Sequence, residues 1–293
     1  MPSSPSTLPA VWLPQIVFIL TGRVRGRPRL TRRPASRIDP EMPELERISI
    51  EALRGFDPNG GLDVGGGIVM RVPEAPASPM VNRIAGLGLS EPATEDGLDA
   101  ALAAMGGTAI YVAVSPSARP PELAAWLSAR GFEPGWGWML FERGPEEPPS
   151  VETALELTEV GSERAEEFGR IVAAGYGLPE ATAPLVAALA ERRNWTCWLA
   201  LDGDEPAAAA ALWARGGAAY LGFAATLPEH RGKGAQGALI AARIQRAGEL
   251  GCATIVTETG ERRDDGPGNS YRNILRFGFE ERYVVPNWLR PAK

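Results

Sequence analysis

The sequence predicts a mixed α/β protein (α+β in layout), with two units that each carry a central, mostly antiparallel sheet flanked by helices. Three observations lead there. The second half runs strand, two helices, three strands, helix, strand, helix, strand, read from the spacing of its apolar residues. Tight-turn signals at DGDE (202–205) and RGG (215–217) join three of those strands into an antiparallel meander, which the repeating βαβ of a doubly wound fold does not contain. A Pro/Glu-rich stretch, GPEEPPS (144–150), separates this half from an earlier helix, strand, helix, strand series. The expected organisation is an extension at 1–43, a first unit at 44–145, a linker at 146–150 and a second unit at 151–293.

The extension differs from the rest. Over residues 1–40, Arg23, Arg25, Arg27, Arg29, Arg32, Arg33 and Arg37 face a lone Asp39, so this stretch is net +6 while the whole chain is −6. Its apolar run VWLPQIVFIL precedes the arginines, the reverse of a signal peptide, and is interrupted by Pro14 and Gln15, too short to span a membrane. It reads as a disordered extension, or as translated upstream sequence ahead of a start at Met42; a weak membrane-surface anchor is the alternative. In the first unit, LDAALAAMGG is a helix pattern, TAIYVAVSP a buried strand, and PPELAAWLSARGFEPGWGWMLFER a helix, a turn and a strand.

In the second unit, VETALELTEV is a strand, and SERAEEFGRIVAAGYG and PEATAPLVAALAERR are helices with N-terminal cap or first-turn signals. The meander TCWLALDGDEPAAAAALWARGGAAYLGFAATLP follows, then a helix from HRGKGAQG onward, the strand ATIVTETG, the helix NSYRNILRFGF and the strand RYVVPNW. Along the central helix Ile240, Ile244 and Ala247 share one face, with Arg243, Arg246 and Glu249 expected outside.

Composition excludes some functions. An acidic balance of 30 basic against 36 acidic residues argues against a nucleic-acid binder. Cys197 and Cys252 lie in strand-like runs and read as buried reduced thiols, and a single His230 leaves no zinc signature. Arginine is the default base, with lysine only at Lys233 and Lys293; together with the abundant Ala and Gly this points to a GC-rich, bacterial coding genome. The expected location is cytoplasmic, with no membrane or nucleic-acid partner. Oligomeric state stays open, with a homodimer one option.

The most informative stretch is HRGKGAQG (230–237), where Gly232, Gly234 and Gly237 crowd the start of a helix. Glycine is costly inside a helix, so this end needs bare backbone. First-turn amides lack intrahelical acceptors and sit at the positive end of the helix dipole, which suits a phosphate. GKGAQG also fits the dinucleotide fingerprint G-x-G-x-x-G, and Glu258 stands where a ribose ligand is expected. Four residues nonetheless separate it from the preceding strand, and it lies too late in the chain for a dinucleotide sheet. A P-loop is excluded because no Lys-Ser/Thr follows Gly237.

Arg231-Gly232-Lys233-Gly234-Ala235-Gln236 resembles the Arg/Gln-x-x-Gly-x-Gly/Ala acyl-CoA motif of the GNAT superfamily of N-acetyltransferases, departing at Gln236, with Gly237 one place later. The whole second unit is similar to that fold, including ATIVTETG and the LRFGF turn. LSARGFEPGWGWMLFER resembles the same closing turn in a degenerate first unit, and MVNRIAGLG (80–88) the leading half of two-part bacterial members. The resemblance implies that backbone at Phe223, Ala224, Ala225 and Thr226, on a strand splayed from its neighbour, binds the pantetheine arm and the thioester carbonyl. It implies a pyrophosphate on Arg231, Gly232, Lys233 (chiefly its N–H), Gly234, Ala235, Gln236 and Gly237, with Ser270 and Asn273 as polar contacts.

The co-substrate so implied is acetyl-CoA, with no metal, and the partner a small-molecule or peptide amine that attacks the thioester directly in a ternary complex. Glu258 is the candidate base; its alternative is a salt-bridged glutamate at a strand end. The family places a tyrosine acid where Ile274 stands, and Tyr271, one turn earlier, is the candidate replacement. Asp264 and Asp265 border the acceptor side, and Trp136, Trp138 and Trp288 line a cleft between the halves or simply pack the core. A non-catalytic acyl-CoA-binding protein and an NAD(P)-dependent oxidoreductase are the rival readings.

Overall fold

The computed structural model describes residues 42–56, 61–78, 81–106, 108–262 and 268–290. The arginine-rich extension, Asp264 and Asp265 lie outside the described residues.

The first half comprises α1 (Met42–Phe56), β1 (Leu62–Val64), β2 (Gly67–Met70), β3 (Arg83–Ala85), α2 (Glu95–Ala104), β4 (Ile110–Ala113), α3 (Leu123–Ala129) and β5 (Glu133–Arg143). The second comprises β6 (Glu156–Glu159), α4 (Ala165–Gly175), α5 (Ala183–Ala187), β7 (Trp195–Asp202), β8 (Glu205–Arg215), β9 (Ala218–Thr226), α6 (Ala235–Glu249), β10 (Thr254–Gly260), α7 (Asn269–Arg276) and β11 (Glu280–Arg290). Every element expected in the second half is present. The helix expected over 179–193 is divided: α5 has Pro184 in its first turn, and 3₁₀ turns flank it. Sequence reading assigned nothing to α1 or β1–β3. These strands are three or four residues long, too short to show a period.

All described strands join one eleven-stranded sheet in the order β1-β2-β3-β4-β11-β5-β10-β9-β8-β7-β6. Its middle is exchanged between the halves. β5, made in the first half, pairs antiparallel with β10 of the second, and β11, made in the second, pairs antiparallel with β4 of the first. β5 and β11 also pair with each other. Outside them stand the parallel pairs β3–β4 and β9–β10, one per half. The arrangement on either side of β5 and β11 is thus the same.

Alternation along the strands divides the apolar residues between two faces. On one face α1, α4 and α5 pack Leu45, Ile48, Phe168, Ile171 and Val186 with Leu140, Val256 and Val285. On the other, α6 and α7 pack Leu239, Ile240, Ile244, Tyr271 and Ile274 with Phe141 and Ile255, while α2 and α3 form a separate core around Leu98, Leu123 and Leu127. Ala207 to Ala211 of β8 are all fully buried; their small side chains let helices approach both faces. Arg243 corrects the helical-wheel expectation. It is buried at 2% exposure, donating to the carbonyls of Leu239, Ala211 and Gly222. Both cysteines are buried and unpaired.

Candidate active site

β9 and β10 run parallel and pair from Ala218/Thr254 to Leu221/Thr257, where the ladder stops although both strands continue. The Thr257 hydroxyl donates to the Leu221 carbonyl at 2.9 Å and pins the apex of the gap. Beyond it Phe223 adopts φ +49°, in the left-handed region that bulky residues avoid. On the other edge of β9 the register with β8 moves from Gly222/Ala211 to Ala225/Ala209, so Phe223 and Ala224 together face Ala210. This is a bulge, which bends the strand and re-aims its backbone. The Phe223 ring is held by Phe56 at 4.8 Å and Trp195 at 5.5 Å. Phe223, Ala224, Ala225 and Thr226 thus line the splayed section. Tyr176, at the end of α4, hydrogen-bonds the backbone at Ala224.

β9 leads through a 3₁₀ turn, Pro228–His230, to the glycines. Gly232 and Gly234 take φ +81° and +85°, which only glycine adopts without strain. A Cβ at Gly232 would meet nothing within 4 Å, and one at Gly234 would approach the Glu152 carbonyl at 3.2 Å. The first α6 hydrogen bond runs from Ala238 N–H to the Gly234 carbonyl, and no side chain caps the helix. The amides of Ala235, Gln236 and Gly237 are therefore without intrahelical partners.

Two anchors fix the loop. The Thr153 hydroxyl donates to the Lys233 carbonyl at 2.7 Å, and Lys233 Nζ and His230 both engage Asp202. That pairing, with Lys233 the larger influence, holds the Asp202 carboxyl below its ordinary range. Arg231 is exposed. Gly237 lies against Phe277, 3.4 Å from where its Cβ would stand, so its smallness serves α6–α7 packing. Gln236 reaches α7: it donates to Ser270 at 3.1 Å and accepts from Asn273 at 2.7 Å. The residue that departs from the motif thus joins the two polar contacts expected on α7.

The two candidate catalytic residues lie on opposite faces of the sheet. Glu258 lines a small, partly open cavity beneath α1 with Glu46, Ser49, Arg83, Trp138, Leu140 and Val285. Its Oε1 accepts from both terminal nitrogens of Arg83 at 3.4 Å, and the two side chains are 9% and 6% exposed. Glu46, hydrogen-bonded to Ser115, is pushed up to about 7, chiefly by burial and further by the Glu258 charge. Burial and the Glu258 carboxylate raise Tyr220 well above a normal phenol. Tyr271 packs edge-on against Phe141 at 4.9 Å on the α6 side, and its hydroxyl donates to Glu281 at 2.7 Å. Burial pushes it up to about 12. The structure does not bring Tyr271 to Glu258.

Sequence reading missed Arg83, Glu46 and Tyr176. Arg83 had a signal, a lone charge inside the apolar run VNRIA; the other two look like ordinary helix residues. Of the three tryptophans, Trp138 lines the cavity, Trp136 stacks edge-on to it at 4.3 Å, and Trp288 packs on the α2–α3 core.

Residues 165–266, from α4 through β10, match the family model for the Acetyltransferase (GNAT) family. This segment is a GNAT domain. Its fold recurs in solved structures. A GCN5-related N-acetyltransferase from Kribbella flavida superposes with TM-score 0.61 at 18% identity, over 86% of this chain and 96% of that one. A GCN5-related N-acetyltransferase from Sphaerobacter thermophilus gives TM-score 0.56 at 12% identity over 86% and 93%. A putative GNAT acetyltransferase from Novosphingobium aromaticivorans gives 0.52 at 17% over 86% and 99%. These neighbours establish the fold, and the GNAT domain supports acyl transfer in general. No curated protein matches the chain. The splay, the bulge and the Gly232–Gly234 turn all lie inside the GNAT domain, whereas Arg83, Glu46 and Trp138 reach it from the first half.

Proposed function

We propose that the protein is an N-acyltransferase that moves the acetyl group of acetyl-CoA to a primary amine in a ternary complex. The observation that carries this reading is the continuity of three features along fifteen residues of chain: a splayed parallel pair, a bulge at Phe223, and a helix whose first amides are bare. Together they suit one extended ligand, with a carbonyl at one end and phosphates at the other.

Acetyl-CoA, when bound, supplies an activated acyl group on a sulfur leaving group. The amides of Ala235, Gln236 and Gly237 would hold its pyrophosphate, with Arg231 adding exposed charge and Gln236, Ser270 and Asn273 bordering it from α7. The bulged backbone at Phe223–Thr226 would bind the arm, with an amide there for developing negative charge on oxygen. Glu258, reached from the α1 face, takes a proton from the ammonium. The nitrogen then forms a bond to the acyl carbon as the carbon–sulfur bond breaks. The electron pair leaves on sulfur, which takes up a proton, giving amide, free CoA thiol and one proton to water. Tyr271 serves as that acid only if its hydroxyl leaves Glu281; Tyr176, bonded at Ala224, is the phenol at the splay. We read the first half as a degenerate unit of the same kind that completes this site.

Calorimetry with acetyl-CoA, CoA and NADPH tests the reading. Binding of the first two, lost in Gly234→Trp, is the expected result. No acetyl-CoA binding, or binding indifferent to that substitution, would sink it. Ile274 at the usual tyrosine position, with Tyr271 held by Glu281, favours a second reading, an acyl-CoA-binding protein without turnover. Release of CoA thiol with any amine of a broad panel eliminates that rival.

A further inference from the structure

Arg243 is buried between α6 and the sheet, and the titratable groups that influence it are the phenols of Tyr176 and Tyr220, not a carboxylate. Burying an unpaired charge is costly. A leucine or methionine on this face would pack α6 against the alanines of β8 without that cost. What the guanidinium touches sets it apart. Nε is taken within α6 by the Leu239 carbonyl at 2.9 Å. Nη1 reaches the sheet, donating at 3.3 Å to the Ala211 carbonyl of β8 and the Gly222 carbonyl of β9. Ala211 and Gly222 are the last opposed pair before the bulge. The peptide from Gly222 to Phe223 is trans, and across a trans peptide the carbonyl and the N–H point opposite ways. A Gly222 carbonyl held toward β8 and α6 therefore turns the Phe223 N–H toward β10, where the β9–β10 ladder has just stopped at Leu221/Thr257. The carbonyl before it, Leu221, is taken from the β10 side by Thr257 at 2.9 Å. The two carbonyls ahead of Phe223 are thus held from opposite edges of β9, one by a hydroxyl and one by a cation.

We infer that Arg243 is a positioning residue for acyl transfer: it fixes the Gly222–Phe223 peptide so that the Phe223 N–H meets the thioester oxygen, and its charge strengthens that donor. The inference rests on the N-acyltransferase reading and deepens it, naming the amide that receives the developing charge and the side chain that aims it. A carbonyl that accepts from a cation polarises its own peptide, and the N–H across that peptide becomes the stronger donor. The guanidinium also stands behind the same peptide in a buried, weakly screened setting, where it favours negative charge developing on oxygen. A neutral side chain at 243 supplies neither effect.

The test uses the full-length protein and acetyl-CoA carrying an isotopic label in its thioester carbonyl, whose infrared stretch reads the hydrogen bond to that oxygen. In the wild-type protein the stretch is expected below that of free acetyl-CoA. In Arg243→Gln, which keeps a donor and loses the charge, it is expected to return at least about halfway to the free value, while calorimetric affinity for CoA changes less than about threefold. With any amine that releases CoA, kcat in this variant is expected to fall on the order of thirtyfold with little change in KM for acetyl-CoA, and Arg243→Lys to recover to within about fivefold of wild type. Arg243→Met replaces Arg243→Gln if the latter does not fold, and the spectrum decides where no amine is turned over. An unshifted stretch in the wild-type protein, or a stretch unmoved in a folded neutral variant, overturns the proposal. So does an equal loss of CoA and acetyl-CoA affinity, the mark of a residue that only packs α6 on the sheet. Acetyl-CoA binding with a stretch indifferent to residue 243 removes this assignment alone; no acetyl-CoA binding removes the underlying reading as well.

Discussion

Arg83, carried by β3 in the first half, holds Oε1 of Glu258, carried by β10 in the second, with both terminal nitrogens at 3.4 Å. The pair is buried, so removing one partner strands a charge. Glu258→Gln keeps the shape and removes the proposed base. We expect kcat to fall at least a hundredfold while acetyl-CoA affinity changes less than threefold, measured by initial rates and calorimetry. A loss of kcat under tenfold would remove Glu258 from the mechanism.

Gly232 and Gly234 both adopt positive φ, yet their surroundings differ. Alanine at either position strains the backbone by about 1 kcal/mol. At Gly234 it additionally presses on the Glu152 carbonyl 3.2 Å away. Gly234→Ala is expected to lower stability more than Gly232→Ala in urea denaturation, and to weaken acetyl-CoA binding at least tenfold. The reverse order would contradict the loop geometry.

Glu46 offers a stability test with a defined sign. Its carboxyl titrates near 7 in the folded protein against 4.5 in an open chain, so the folded state holds the proton more tightly. Stability from this group is complete below pH 4.5 and lost as pH rises through 7. Glu46→Gln cannot ionise and still hydrogen-bonds Ser115. Its stability relative to wild type should rise between pH 5 and pH 8, by on the order of 3 kcal/mol if the whole shift is realised. Urea midpoints at the two pH values check this, and a difference independent of pH would refute it.

Two tyrosines are candidates for the proton donor to sulfur in the proposed reaction. Tyr271 has its hydroxyl on Glu281, and Tyr176 is bonded at Ala224 in the splay. Tyr176→Phe is expected to reduce kcat more than tenfold, and Tyr271→Phe less than threefold. Single-turnover rates distinguish the two, and the opposite ranking would return the role to Tyr271.

The second half was legible because its signals are local. Gly232 and Gly234 announce positive φ, and the DGDE and RGG turns announce the meander. The features that give the site its shape follow no local preference. Phe223 sits where a bulky residue is disfavoured and is kept there by Phe56 and Trp195, distant in sequence. Arg243 counts as a surface charge on a helical wheel, yet carbonyls of β8 and β9 satisfy it inside. Arg83 acquires its role only because β3 is brought near β10 across the exchanged strands.

That exchange bears on how the chain is made. β4 receives its inner neighbour only when β11, the last strand, has emerged, and β5 ends at Arg143 while β11 begins at Glu280. At usual synthesis rates the interval is roughly ten to thirty seconds. Throughout it the nascent first half presents unpaired strand edges, an invitation to mispairing. Nor does a cut in the 144–150 segment yield two working pieces, since each would keep the strand the other lacks. Expressed together, however, the two fragments carry every strand of the sheet between them, so the protein is suited to reconstitution from halves.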